Sequence, residues 1–270
     1  MLARLSAKLS GRPSSPFFAS LRDSRPLAKR YLIATTGRAG SHFLCSRIAD
    51  HANLGFPMEF FNESYISQFE ALFPSPNLAD FEAYVGANFA SPEGVFGLKT
   101  DWWRFGVARN LGILQSLVSP PDLVAYLYRE DFVAQAVSQT LAVATQIWHS
   151  RDVSTHPIAD LHAALTYEAA AIEENCRSML NQEYLWLQFI EQSGAPSLQL
   201  AYEDISRDPD PAVAAIAQIL GVPLDRDPPP SDAVTRQGTP TAQLWAQRFR
   251  EDRPDFVAFW SDYRGLVVAA

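Results

Sequence analysis

Tyr31 to His42 read YLIATTGRAGSH: an apolar, β-branched run, then a turn with two glycines and an arginine, then the start of a helical pattern. A strand that stops in a glycine-containing turn and feeds a helix makes a cradle for an anion. The N–H groups of the first helical turn and the positive end of the helix dipole both point at the bound group. Gly37 and Gly40 let the backbone approach closely, and Arg38 adds a charge with fork geometry. A Walker A loop would continue from glycine into Lys-Ser/Thr, whose hydroxyl holds Mg²⁺. Here Gly40 runs into Ser41 and His42, so the stretch predicts a phosphate loop that works without a metal.

Outward from that loop, the totals set the class. The chain has 270 residues, of which 47% are hydrophobic, enough for a substantial core. Its net charge of −8 argues against general nucleic-acid binding. The charge is uneven: residues 1–30 carry +6, leaving −14 for the rest. This Ser-, Arg- and Pro-rich segment is transit-peptide-like in composition, but a loosely ordered basic extension fits it better. Residues 31–270 are then expected as a single α/β domain. No apolar run is long enough to span a bilayer, and no signal-peptide core is present, so a cytoplasmic protein is expected, with peripheral contact at the inner membrane face as an option. Cys45 and Cys176 sit inside helical patterns far apart, without metal-ligand spacing, and read as buried free thiols.

Strands are predicted at Val95–Lys99, Leu123–Tyr128 and Leu198–Tyr202. Helices are predicted over Ser41–Asn53, Asn77–Phe89, Asp131–Trp148 and Thr166–Ser193, the last stopped by Gly194. Another runs to Leu220, with Asp208 as N-cap and Pro209 at N1. Asp225 to Ser231, DRDPPPS, reads as a surface loop, and no internal repeat is present. Strands alternating with helices give a parallel sheet, whose ligands sit at the carboxyl ends of the strands. The Gly37–Ser41 turn and Arg129 both fall at such ends.

Two further stretches carry candidate chemistry. In LYREDFVAQAVSQ, Arg129 just past a strand and Ser138 two helical turns on suit a second phosphate group, although each alone is equally a surface ion pair and a bland helical serine. In GFPMEFFN, Glu59 lies between Met58 and Phe60-Phe61. Apolar company would raise its pKa toward the range of a useful general base; a solvent-facing Glu above two core Phe residues is the alternative. Lys99 in FGLKTDWW could reach a donor or acceptor, or pair with a carboxylate. Of Trp102 and Trp103, one is expected in the core and one in a pocket, while Trp148 and His149 could form an acceptor wall or pack internally. His51, His156 and His162 have no partner pattern and read as surface residues.

The succession YLIATTGRAGSHFL, GFPMEFF, FGLKTDWW, YLYREDFVAQAVS with IWH, LQLAYEDISRDPDPAVAAIAQILGVP and RQGTPTAQLWAQRFRED, spanning about Tyr31 to Asp252, resembles the bacterial trehalose 2-sulfotransferase family, a branch of the PAPS-dependent sulfotransferases. The resemblance implies a P-loop-like three-layer α/β fold, with a central parallel sheet flanked by helices. It also implies PAPS as sulfuryl donor with PAP as product, no metal, a homodimer, and a sugar or glycolipid acceptor. The family's 5′-phosphosulfate loop falls on Thr36, Gly37, Arg38, Ala39, Gly40, Ser41 and His42. Its 3′-phosphate site falls on Arg129 and Ser138, and its catalytic carboxylate on Glu59. On that reading Arg38 is assigned to stabilising the leaving phosphate while Glu59 takes the proton. Apart from the resemblance, Lys99, Trp103, Trp148 and His149 are the candidates for the acceptor side, with the alternatives given above still open.

Two departures stand out. The family's Arg-Ser-Gly-Ser-Thr loop is here Arg38-Ala39-Gly40-Ser41-His42: Ala39 removes one hydroxyl, and His42 replaces another with an imidazole that can donate to phosphate. The basic run before the equivalent of Asp131 is Tyr128-Arg129-Glu130, so the second phosphate site carries less positive charge, which Arg236, Arg248 or Arg250 could restore. A nucleotide kinase or NTPase on the same scaffold is the competing enzyme class, and the missing Walker lysine speaks against it. A non-catalytic nucleotide-binding relative is the third reading, and the retained Glu59 and Arg38 speak against that.

Overall fold

The computed structural model describes residues 16–24, 26–72, 78–110, 112, 115–148, 157–225 and 238–268. The chain divides into two compact units. The first comprises Met1–Thr36, Gly40–Tyr128 and Trp186–Ser231; the second comprises Gly37–Ala39, Arg129–Leu185 and Asp232–Ala270.

The first unit holds the sheet. Its strands are β1 (Lys29–Thr35), β2 (Val95–Asp101), β3 (Leu123–Tyr128) and β4 (Ser197–Ala201), all parallel, in the order β2-β1-β3-β4. Its helices are α1 (Pro16–Ser24), α2 (Ser41–Ala49), α3 (Glu63–Leu72), α4 (Leu78–Phe89), α5 (Trp102–Asn110) and α6 (Gln115–Val118). Leu32, Leu98 and Val124 stand side by side in register, as do Ala34 and Tyr126, and this face is buried against Phe18, Phe81, Phe105, Leu117 and Trp186. Two later helices, α10 (Tyr202–Arg207) and α11 (Asp210–Leu220), belong to the same unit. There α11 packs against β3 and α2, outside that cluster, so helices flank the sheet. β1, β2 and β3 are buried at almost every successive position, on both faces, as expected of a parallel sheet covered by helices on either side.

The strand order reverses direction at β1 and β3, the topological switch point where open α/β sheets bind ligands at their carboxyl ends. The chain leaves those two ends directly into the Gly37 turn and Arg129. Trp186 fixes the end of β1: fully buried, it donates Nε1–H to Thr35 O at 3.0 Å and packs edge-on against Trp102 at 5.0 Å.

The second unit is helical. It contains α7 (Phe132–Thr145), α8 (Ile158–Ala163), the first part of α9 (Ala169–Ser193), α12 (Pro240–Asp252) and α13 (Pro254–Val268). Its core joins Phe132, Val133, Ala136 and Val137 to Ile172, Cys176 and Met179 and to Trp245 and Phe249.

The expected strands and the helices through Leu220 are present with shifted ends. Helix α2 stops at Ala49, and a 3₁₀ turn takes up Ala52–Leu54. Asp208 is not the N-cap of α11. Pro209 holds that place, and the Asp208 carboxylate instead accepts from Asp210 N at 3.1 Å. Cys45 and Cys176 are buried and free, and burial pushes both thiols up to about 12. His51 and His162, expected at the surface, are buried. His156 and all of the DRDPPPS loop except Asp225 lie outside the described residues.

Candidate active site

In the first unit, Gly40 is the N-cap of α2 with φ 79°, and the helix ladder begins with Phe43 N to Gly40 O at 3.0 Å. A glycine offers no side chain to cap the first turn, so those N–H groups face outward as the anion cradle requires. The Tyr202 ring lies where a Cβ on Gly40 would be, which makes Tyr202 a wall of this turn. Nothing in the sequence reading singled out Tyr202; its position at the first residue after β4 was the available signal.

Glu59 is placed from the free edge of the sheet. Met58 bridges Leu98, and Lys99 N donates to Met58 O at 3.1 Å, which sets Glu59 beside the side chain of Lys99. The approach depends on Gly97: any Cβ there would collide with Tyr31, whose ring crosses β2 so that its hydroxyl donates to Leu54 O at 2.9 Å. Phe60 and Phe61 turn into the core, anchoring the segment; truncating a fully buried phenylalanine typically costs about 3–5 kcal/mol.

The electrostatics of Glu59 correct the sequence reading. Burial does push its carboxyl up, but Lys99, Arg104 and hydrogen bonds from Lys99 and Asn62 outweigh it, so the pKa lies below the ordinary 4.5. Lys99 Nζ sits 3.5 Å from Glu59 Oε1 with its side chain only 8% exposed, so this charge has little solvent to screen it. Arg104 is itself held by Asp101, which caps α5 through Arg104 N at 2.9 Å and pairs with its guanidinium. Lys99 is thus the carboxylate partner that the sequence left open. Trp102 lies in the core beside Phe105 and Trp186, while Trp103 is exposed.

Replacing Lys99 with methionine leaves burial to act on Glu59 with less opposition. The Glu59 carboxyl is then expected to titrate at higher pH than in the parent, with Lys99→Arg staying close to the parent. Where Glu59 serves as the base, the acid limb of the kcat/KM profile moves with it. The stability linked to this carboxylate follows the same sign: present above the unfolded value of 4.5 and lost as pH falls through the lowered folded value. Direct titration of the Glu59 carboxyl by NMR that finds no shift in Lys99→Met would show that the ion pair does not set its ionisation.

In the second unit, Gly37–Ala39 lies along α7. Gln135, fully buried, donates Nε2–H to Gly37 O at 2.7 Å, and Gln139 Oε1 would be 2.9 Å from a Cβ on Gly37. Arg38 has φ 64°, uncommon for a bulky residue. Its Nε donates to Ser138 Oγ at 3.0 Å and its NH1 to Trp148 O at 2.6 Å. Arg38 and Ser138, read as ligands of two separate phosphates, are therefore joined directly. Gln135, Ser138 and Gln139 share one helix face by their i, i+3, i+4 spacing, a signal the sequence reading passed over.

His162 Nδ1 lies 2.9 Å from Thr239 Oγ1, and Thr239 caps α12 by accepting from Ala242 N. Burial first and then the Arg38 charge lower the His162 pKa. Arg250 pairs with Asp131 at 2.6 Å, and Arg248 lies 3.6 Å from Asp252 and over the Tyr167 ring, so both are engaged with groups of this unit. Arg236 and His149 lie outside the described residues.

Within the first unit, a strand feeding a glycine-capped helix and a half-buried carboxylate paired with a lysine stand on one parallel sheet, an arrangement suited to holding an anionic group. Residues 30–252 match the family model of the Stf0 sulphotransferases, and the chain belongs to that family: it is a sulfotransferase. It is 23% identical over 263 residues to the trehalose 2-sulfotransferase of Mycobacterium tuberculosis (strain ATCC 35801 / TMC 107 / Erdman), covering 83% of this chain and 95% of that one. It is 24% identical over 261 residues to the trehalose 2-sulfotransferase of Mycolicibacterium smegmatis, covering 82% and 94%. Among solved structures it is similar to a sulfotransferase from Alicyclobacillus acidocaldarius, with a TM-score of 0.46, 13% identity and coverage of 86% and 95%. No helix among the described residues is long and apolar enough to cross a membrane.

Proposed function

We propose that this protein transfers the sulfuryl group of PAPS to a hydroxyl of a carbohydrate or glycolipid. The observation that carries the reading is the Glu59 carboxylate, largely buried yet kept ionised by Lys99 and Arg104. An ionised carboxylate beside cations is a proton acceptor throughout the neutral range. The lowered pKa keeps it in the proton-accepting form, with less driving force for the transfer than a base poised near neutrality would have.

In the proposed reaction the acceptor oxygen attacks sulfur, the bond from sulfur to the 5′-phosphate oxygen breaks, and the hydroxyl proton passes to Glu59. Charge grows on the departing phosphate, and protein donors aimed at it lower the barrier. That task falls to Arg38 and the N–H groups of Gly40 through His42, with Thr36, Gly37 and Ala39 completing the loop. Arg129 and Ser138 hold the 3′-phosphate, with Arg236 as a further donor contact. Lys99, Trp103, Trp148 and His149 contribute to the acceptor side. The reading extends to a homodimer, as the family resemblance implies.

Calorimetric titration with PAP and with ATP·Mg²⁺ separates this reading from a kinase. PAP is expected to bind and ATP·Mg²⁺ to bind far more weakly; the reverse order would overturn the proposal. Transfer is then scored by mass spectrometry as the gain of one SO₃ on members of a sugar and glycolipid panel.

A further inference from the structure

The turn Arg129–Asp131 is gripped from two sides by arginines of the C-terminal helices. Arg264 of α13 donates from NH2 to Arg129 O at 2.5 Å and from NH1 to Glu130 O at 2.6 Å. The same guanidinium forms a two-pronged pair with Glu183 of α9, Nε to Oε2 and NH2 to Oε1, both at 2.9 Å. This pair is removed from solvent, with side chains 11% and 7% exposed. Arg250 of α12 holds the next residue, donating to Asp131 Oδ1 at 2.6 Å, while Asp131 caps α7 through Ala134 N at 2.9 Å.

We propose that Arg264, oriented by Glu183, is a positioning residue that fixes the backbone of Arg129 and so aims its guanidinium at the 3′-phosphate of the donor. This rests on the reading of Arg129 given above. Arg264 lies beyond the stretch that matches the family, residues 30–252, so no family pattern assigns it. The chemistry favours a clasp over a surface ion pair. A fork to a carboxylate is the most directional pairing available to arginine, and the opposite edge satisfies two carbonyls in one turn. A chain that must leave β3 and enter α7 within three residues has few other ways to hold the first of them rigid. With the turn fixed, less ordering of Arg129 remains to be done on binding, which raises affinity without a new contact.

The test uses two ligands that differ only in the group concerned: adenosine 3′,5′-bisphosphate and adenosine 5′-monophosphate. Calorimetry of the full chain should show a preference of the parent protein for the bisphosphate, and Arg129→Met should erase it. Arg264→Met is expected to reduce that preference about tenfold, the scale of one lost charge-assisted hydrogen bond, while leaving monophosphate affinity within about twofold. Arg264→Lys should not restore it, because an ammonium cannot form the fork. Should Arg264→Met fold poorly, Glu183→Gln weakens the same fork while keeping the arginine, and a smaller selective loss is expected.

An unchanged ratio in these variants, or equal weakening of both ligands, would overturn the clasp. A parent protein indifferent to the 3′-phosphate, or Arg129→Met with the ratio intact, would instead overturn the assignment of Arg129 while saying nothing for another role of Arg264.

Discussion

Glu59→Gln is expected to lower sulfuryl transfer by roughly 10²–10⁴-fold, the usual worth of a general base, while PAP affinity stays within a few-fold of the parent. The amide keeps the size and hydrogen-bonding reach of the carboxylate but cannot take a proton. One competing effect must be separated. Lys99 is nearly buried, and removing its partner leaves a poorly solvated ammonium that destabilises the edge of the sheet. Lys99→Gln in the Glu59→Gln background removes that charge as well. If the loss arose from structural disturbance, Glu59→Gln would melt lower and bind PAP more weakly than the parent, and the doubly neutral site would regain both. If it arose from the missing proton acceptor, the double variant would fold better and remain inactive. Thermal unfolding together with steady-state transfer rates distinguishes the two, and near-normal turnover in Glu59→Gln would remove Glu59 from the base role.

How much of this was legible in the sequence follows from the range of each interaction. The anion loop could be read because its determinants are contiguous: the apolar run of β1, the left-handed Gly40 and the start of α2 lie within twelve residues. The strands β2 and β3 were legible for the same reason, being short apolar runs bounded by turn residues. The ionisation of Glu59 was not. Its neighbours in sequence, Met58, Phe60 and Phe61, suggested an apolar setting, but both phenylalanines are directed into the core while the carboxylate meets Lys99, forty positions on. That meeting depends on a single bridge to the edge of β2, which has no signature in either segment.

The histidines failed similarly. His162 is buried against Thr239, 77 residues away, and a lone histidine in a helical pattern does not announce such a partner. Short helices such as Tyr202–Arg207 were missed because a single turn and a half is too brief to establish a period. The loop and its helix were therefore local problems, whereas the protonation state of the carboxylate was a tertiary one.

Gly40→Ala is expected to weaken PAP binding by about 10²-fold, for two separable reasons. The first is conformational: Gly40 has φ 79°, and holding an L-residue in that region costs roughly 1–2 kcal/mol. The second is steric: the new methyl would overlap the Tyr202 ring. Overpacking of this kind typically costs about 1–3 kcal/mol. Tyr202 has little room to withdraw its backbone, because it follows directly on Ala201, which is paired with Tyr128 in the β3–β4 ladder. The free protein escapes both costs by letting the turn relax, so binding must restore the cradle and the combined cost appears in the affinity, at about 1.4 kcal/mol per tenfold.

Combining Gly40→Ala with Tyr202→Ala, measured against Tyr202→Ala alone, removes the overlap and keeps the strain. The residual loss should then fall to about tenfold, matching the conformational part. Gly40→Ala binding PAP within twofold of the parent would mean that the turn after β1 is not where the anion sits. A full 10²-fold loss persisting in the double variant would instead place the whole cost in the backbone, with the ring a bystander.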